Sequence, residues 1–334
     1  MINKKIIPLH NKNFKFLKLK GPFNKKVDLK FMQKVLRDKK INFLKQEIQK
    51  QKLKYRFLNK EERDQQILKI IEFLNLDFYQ AGPKRKKIWE IGWLENYKKF
   101  LSKGRFIDLV PNYYKRGLQI NKLKNDYILA GDKLFKHKFG LILLKYLSNK
   151  YFKKYKNIFE FGCGPSNNIF ALAKMIKNNT NFTGIDWALP SVKILNLLEK
   201  RKKKLGFKRH SFKGKRIDFF KRFKDFQVPS DSVCFTHGGL EQLGNKHKNF
   251  FDFVYKKNFN LYIHIETINE SYNTKYLVDY LAKEYEKKRN YLRQFYSKLI
   301  KYQKEKKIKI LKTQKIIGGN FTDDWNLIVW KKLN

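Results

Sequence analysis

The stretch "NIFEFGCGPSNNIF", Asn157 to Phe170, decides the fold. An apolar run reaches Glu160, two glycines follow one residue apart at Gly162 and Gly164, and a helix-like segment starts around Ser166. The order is strand, tight turn, helix, and glycine suits the turn because it admits positive φ and lets the backbone approach a neighbour closely. The alternation continues downstream. "NFTGIDW" reads as a strand and "SVKILNLLEKRKKK" as a helix; "GKRIDFF", "DSVCFTHGG" and "NLYIHIE" read as strands. Residues 275–304 read as one long helix, and "KIKILKTQKII" and "WNLIVWKK" as a closing strand pair around "GGNFTDD". This pattern predicts an α/β fold with a doubly wound, seven-stranded, mostly parallel sheet whose last strand runs antiparallel.

Upstream the character differs. Residues from about Val27 to Leu76 carry apolar side chains at helical intervals, "AGPKRKK" at 81–87 breaks the pattern, and "IWEIGWLENYKKFL" and "DKLFKHKFGLILLKYLSNKYF" predict further helices. The division expected is a helical N-terminal extension over 1–130, covering the substrate side, and a sheet domain over 131–334. No internal repeat is present.

The net charge of +48 raises the question of an anionic partner, RNA or a membrane surface. The charge is spread evenly, with 38 basic and 13 acidic residues in 1–150 against 39 and 16 in 151–334. Of the 77 basic residues only 12 are arginine, the residue suited to bidentate phosphate recognition. The abundance of Lys, Asn, Ile, Phe and Tyr matches what A/T-rich codons produce, so background composition accounts for most of the charge. A 42% hydrophobic content excludes wholesale disorder. Cys163 and Cys234 lie in or beside apolar runs without zinc spacing, so no metal site and no disulfide framework is expected. No apolar run is long enough to span a bilayer, and the basic start "MINKKIIPLHNKNFKFLKLK" lacks the apolar core of a signal peptide; a cytoplasmic location is expected by elimination.

The glycine turn invites three ligand readings. A dinucleotide site wants G-x-G-x-x-G, but Asn167 holds the third position, and no P-loop run occurs anywhere. Glu160, two residues before the turn, repels a pyrophosphate and favours a ligand bearing positive charge. Asp186 ends the next strand 24 residues past Gly162, where a carboxylate accepts ribose hydroxyls, with Trp187 beside it for an adenine. The competing reading of Asp186 is an N-cap on the helix at Pro190 or Ser191. Asp218 after the third strand is placed to accept from an adenine amino group, with Phe219 against the ring; an ion pair with Arg216 or Lys215 is its alternative.

Glu160-x-Gly162-x-Gly164, Asp186, Asp218 and the closing strand pair resemble class I S-adenosylmethionine-dependent methyltransferases, and among them bacterial members of uncharacterised or sugar-modifying type. The resemblance covers residues 135–334 and implies that Glu160, Gly162, Cys163 and Gly164 hold the methionyl part, Asp186 the ribose, and Asp218 with Phe219 the adenine. Many members have a third glycine where Ser166 stands; serine there suits a helix N-cap. A hydroxyl acceptor needs a place for its proton, and His237, Glu241 and Glu266 follow the fourth and fifth strands. His237 is the best base by type, because an unperturbed imidazole titrates near neutrality. His264 shares a strand face with Glu266 and reads as structural. The function expected is methylation of a hydroxyl on a small-molecule or sugar-containing acceptor. RNA is the alternative acceptor, and a non-catalytic basic binding protein on the same scaffold is the third reading.

Overall fold

A computed structural model of the chain describes residues 19–77, 80–115, 119–221 and 226–333. The basic segment before residue 19, weighed above as a targeting signal, lies outside the described residues.

The extension holds β1 (Lys25–Lys26), α1 (Leu29–Leu36), α2 (Lys45–Gln51), β2 (Lys54–Phe57), α3 (Lys60–Leu74), α4 (Lys86–Lys103), α5 (Phe106–Leu109), β3 (Ile120–Leu123) and β4 (Asp126–Ala130). Its four strands form an antiparallel sheet in the order β1-β2-β4-β3, which the helical reading of this region did not anticipate. The reason is local. α1 and α2 end at Arg37 and Lys52, both in the left-handed conformation at φ 47° and 48°, and periodicity carries no signal for a non-glycine stop. α3 restarts on a capping box in which the Asn59 side chain accepts from the Glu62 amide and Glu62 returns the bond.

The second part comprises α6 (Phe135–Lys150), β5 (Asn157–Phe161), α7 (Asn167–Met175), β6 (Thr180–Asp186), α8 (Leu189–Arg201), β7 (His210–Arg216), β8 (Ser232–His237), α9 (Lys248–Lys256), β9 (Leu261–Glu266), α10 (Leu277–Arg289), α11 (Phe295–Lys304), β10 (Ile308–Ile317) and β11 (Trp325–Lys332). Seven strands form one sheet in the order β10-β11-β9-β8-β5-β6-β7. The five strands β5 to β9 are mutually parallel, and β11 is antiparallel to both β9 and β10. The winding reverses between β5 and β8, so the crevice of a doubly wound sheet lies beyond the end of β5. The predicted helix over 275–304 is two helices, broken where Asn290 and Gln294 take φ 53° and 64°. β7 begins before the predicted "GKRIDFF" and stops at Arg216, leaving Asp218 in the turn after it.

Side chains alternate across the sheet. Ile158, Phe182, Phe212, Val233, Ile263 and Val329 face a core shared with α1, α2, α6, α7 and α8; Phe159, Phe161, Ile185, Cys234, Tyr262 and Trp330 face one shared with α9 and α11. The first core continues into the extension through Met32, Leu44 and Ile128, so the two parts share apolar packing. A buried staple adds to it. The ammonium of Lys122, on β3, donates to Asp279 Oδ1 at 2.6 Å, Asp323 Oδ2 at 2.9 Å and the Lys124 carbonyl at 2.7 Å. Among the described residues no helix is long and apolar enough to cross a membrane.

Candidate active site

β5 ends in the glycine turn. The amides of Gly162 and Cys163 both donate to the Ile185 carbonyl of β6, at 2.7 and 3.2 Å, which folds the turn back over the neighbouring strand. Gly162 takes φ 73°, and a Cβ there would meet Gly239 Cα at 2.8 Å, so the turn after β5 packs backbone to backbone on the turn after β8. Ser166 stands at the helix N-cap position with φ 61°, but its hydroxyl contacts Cys163 Sγ at 3.9 Å and makes no cap bond. The expected capping role is not met; the serine occupies a left-handed backbone conformation that favours glycine.

Glu160 is fully buried beneath this turn. Its Oε1 accepts from Asn168 Nδ2 at 2.7 Å, and its Oε2 has no hydrogen-bond partner among the described residues. Burial pushes its pKa up to about 8, against the Asn168 bond and with the help of Asp186. Asp186 ends β6 and ties the two turns together: Oδ2 accepts from the Gly164 amide at 2.8 Å and Oδ1 from the Ala188 amide at 2.9 Å. Ala188 holds the N-cap position of α8, so Asp186 is not its cap residue. Burial raises Asp186 to about 6, and the backbone N–H groups oppose that shift.

The glycine turn and Asp186 open on a cavity of about 940 Å³, whose lining includes Gly162, Cys163, Gly164, Asn168, Asp186, Trp187 and Phe219. Asp218 lies outside the lining. Its Oδ1 accepts from the Phe220 amide at 3.0 Å and its Oδ2 faces Lys86 at 3.5 Å, whereas Arg216 pairs with Glu90 at 3.2 Å. Four of the five tryptophans, Trp89, Trp93, Trp187 and Trp325, line this one cavity. Two of them come from α4 of the extension, and nothing in the local sequence pointed them here.

The same lining carries His237, Gln242, Glu241, Lys136, Asp324, Tyr113 and Tyr114. Among the described residues both ring nitrogens of His237 lack hydrogen-bond partners, and its ring centroid lies 4.6 Å from that of Trp325. Burial pushes the His237 pKa down to about 3, with Lys136 acting in the same direction. Glu241 is raised by burial and by Asp324, against Arg85. Gln242 positions it, donating to Glu241 Oε1 at 2.7 Å while its own carbonyl accepts from Arg85 Nη1 at 3.0 Å and Trp89 Nε1 at 3.3 Å. Glu266 stands apart from the lining: its carboxylate accepts from the amides of Gly239, Leu240 and Glu241 at 3.1 to 3.2 Å, which fixes the turn that presents Glu241. His264 bonds Thr236 Oγ1 at 2.9 Å inside the core, as its strand position suggested. Among the described residues no His, Cys, Asp and Glu cluster suits a metal ion.

No protein-family model matches the chain, and no curated protein matches it. Solved structures similar to it include magnesium protoporphyrin IX methyltransferase (ChlM) from Synechocystis PCC 6803 with bound S-adenosylmethionine, at 10% identity and TM-score 0.43, covering 73% of this chain and 97% of that one. A methyltransferase from Aquifex aeolicus dependent on the same cofactor covers 57% and 89% at 13% identity and TM-score 0.38. The methyltransferase domain of bacterial CtHen1 covers 57% and 94% at 17% identity and TM-score 0.39. Likeness at this level carries no argument about residues or acceptor; the strand order, the antiparallel β11 and the glycine turn at the end of β5 carry the assignment. The chain has a Rossmann-like, doubly wound α/β fold.

Proposed function

We propose that the protein is an S-adenosylmethionine-dependent methyltransferase acting on a hydroxyl of a small-molecule or sugar-containing acceptor. The observation that carries this reading is the partnerless Oε2 of Glu160 beneath a glycine turn tied to Asp186. A buried carboxyl oxygen left unpaired is costly, and a positive charge near it relieves that cost where a pyrophosphate would add to it. The ammonium and sulfonium of the cofactor supply positive charge, and Asn168 links the cavity lining to Glu160. Gly162, Cys163 and Gly164 with Glu160 would hold the methionyl part. Asp186 would take the ribose, since each carboxylate oxygen keeps acceptor capacity beyond its one backbone bond. Trp187 and Phe219 would flank the adenine, with Asp218 behind Phe219. When bound, the cofactor supplies an electrophilic methyl group.

The chain's own residues then align the acceptor and receive its proton. Burial reverses the order of basicity that side-chain type suggests: His237 is pushed far below neutrality and Glu241 above its ordinary value. Glu241, held by Gln242 and presented by the turn that Glu266 fixes, takes the hydroxyl proton. His237, neutral at physiological pH, orients the acceptor by hydrogen bonding.

Calorimetric titration with S-adenosylmethionine tests the reading. Asp186→Ala is expected to weaken binding by about tenfold or more, since hydrogen bonds to a charged group contribute about 1.5–3 kcal/mol each. No binding by the native protein, or unchanged affinity in Asp186→Ala and Gly164→Val, sinks it.

A second expectation concerns pH. With a pKa of about 8, Glu160 is mostly protonated in the free protein at pH 7. A cationic ligand favours its ionised form, so binding releases a proton and affinity rises with pH from about 6 until it levels off above about 8. Titrations in two buffers of different ionisation enthalpy check this, and Glu160→Gln should abolish the difference. Equal affinity across pH 6 to 8 in the native protein would rule the coupling out.

A further inference from the structure

We infer that Trp93, carried by the extension and not by the sheet domain, is a cofactor-contacting residue that closes the nucleoside end of the cavity. The inference rests on the cofactor reading above. A Cβ built on Gly164 would lie 3.2 to 3.6 Å from Cζ2, Cε2 and Cη2 of the Trp93 indole, so this glycine makes room for an aromatic ring on the turn itself. Trp93 also packs with Trp187 and Ala188, the two residues that follow Asp186. One side chain thus touches both turns that a nucleoside cofactor has to bridge, and it lines the same cavity as Gly164 and Asp186.

The far side of the ring is held in place. Trp93 stacks on Trp89 with centroids 5.2 Å apart and an interplanar angle of 26°. Trp89 is fixed in turn by its Nε1 bond to Gln242 Oε1 at 3.3 Å and by the Arg85 guanidinium 5.0 Å from its ring centroid. A wall pinned from behind is preorganised, so a ligand meeting it loses little to ordering. The chemistry of an indole face suits both halves of the cofactor: an adenine stacks on it, and a sulfonium is attracted to its π-electrons. The extension therefore contributes Trp93 to the cofactor compartment, besides Tyr113 and Tyr114 elsewhere in the cavity lining.

The full chain and its Trp93→Phe, Trp93→Leu and Trp93→Ala variants are titrated with S-adenosylmethionine by calorimetry, alongside thermal unfolding of each protein. Trp93→Ala and Trp93→Leu are expected to bind about tenfold or more weakly, and Trp93→Phe within about threefold of the native protein. Leucine keeps much of the apolar volume without a π face, so it carries the comparison if the alanine variant fails to fold. Affinity within twofold of native in Trp93→Leu would overturn the inference while leaving the cofactor reading intact. A native protein that binds no cofactor would overturn both, and the two failures differ in which protein is silent.

Discussion

Gly162→Ala is expected to destabilise the protein by about 3 kcal/mol, read as a lower urea midpoint with an unchanged slope. Two costs add. The residue sits at φ 73°, where a Cβ costs roughly 1–2 kcal/mol. The new methyl would also lie 2.8 Å from Gly239 Cα, and backbone does not yield as a flexible side chain would; overpacking of this kind costs about 1–3 kcal/mol. Gly206→Ala isolates the first cost, because Gly206 has φ 80° with nothing within 4 Å of its would-be Cβ. A loss at Gly162 no larger than that at Gly206 would show that the two turns do not pack as closely as described. Since Gly239 leads directly into Leu240 and Glu241, forcing the turns apart should also weaken any chemistry that depends on Glu241.

Removing the Lys122 ammonium is expected to cost about as much or more. All three of its donors are used, and it is fully buried. Lys122→Met leaves the half-exposed Lys315, at 3.5 and 3.0 Å, as the cation facing Asp279 and Asp323 among the described residues, with the Asn273 amide still donating to Asp279 Oδ2 at 2.9 Å. Breaking a buried ion pair from one side costs about 3–5 kcal/mol, with Lys315 holding the loss near the lower end. Asp279→Asn in the Lys122→Met background should restore part of it, as measured by chemical denaturation; no recovery would argue that the loss is one of packing alone. The pH dependence has a definite sign. Burial by itself would raise the Asp279 pKa, but Lys122 outweighs it and the group sits below its ordinary value of 3.8. That contribution is fully present above about pH 4 and is lost as pH falls through the depressed value. In Lys122→Met the loss should begin at higher pH.

The site divides into a part that is legible in the sequence and a part that is not. Gly162, Gly164 and Asp186 are legible because each ends or follows a strand whose apolar run and alternation are local properties. The same is true of His237, which ends β8, and of Glu241 in the turn after it. Their relative strength as bases was not legible: imidazole is the better base in water, and only burial, with Lys136 beside one group and Asp324 beside the other, inverts the order. The four-stranded sheet of the extension was missed because Arg37 and Lys52 stop helices without glycine or proline, and because Tyr55 pairs with Ala130 across a long separation. Ser166 is the converse case. Its type suggested a cap, but the backbone there is left-handed and the hydroxyl turns to Cys163.

From the chain alone follow the strand-turn-helix order, the seven strands of the sheet, the closing antiparallel pair and the place of the crevice, because a period of two or 3.6 residues and a glycine turn are written by near neighbours. The tertiary structure alone decided which side chains meet across that crevice. Trp93 reaches Gly164, Gln242 joins Arg85 to Glu241, and Lys122 finds Asp279 157 residues away. Those contacts exist only once the extension has folded onto the sheet, since burial and pairing depend on distance in space, and no local pattern records it.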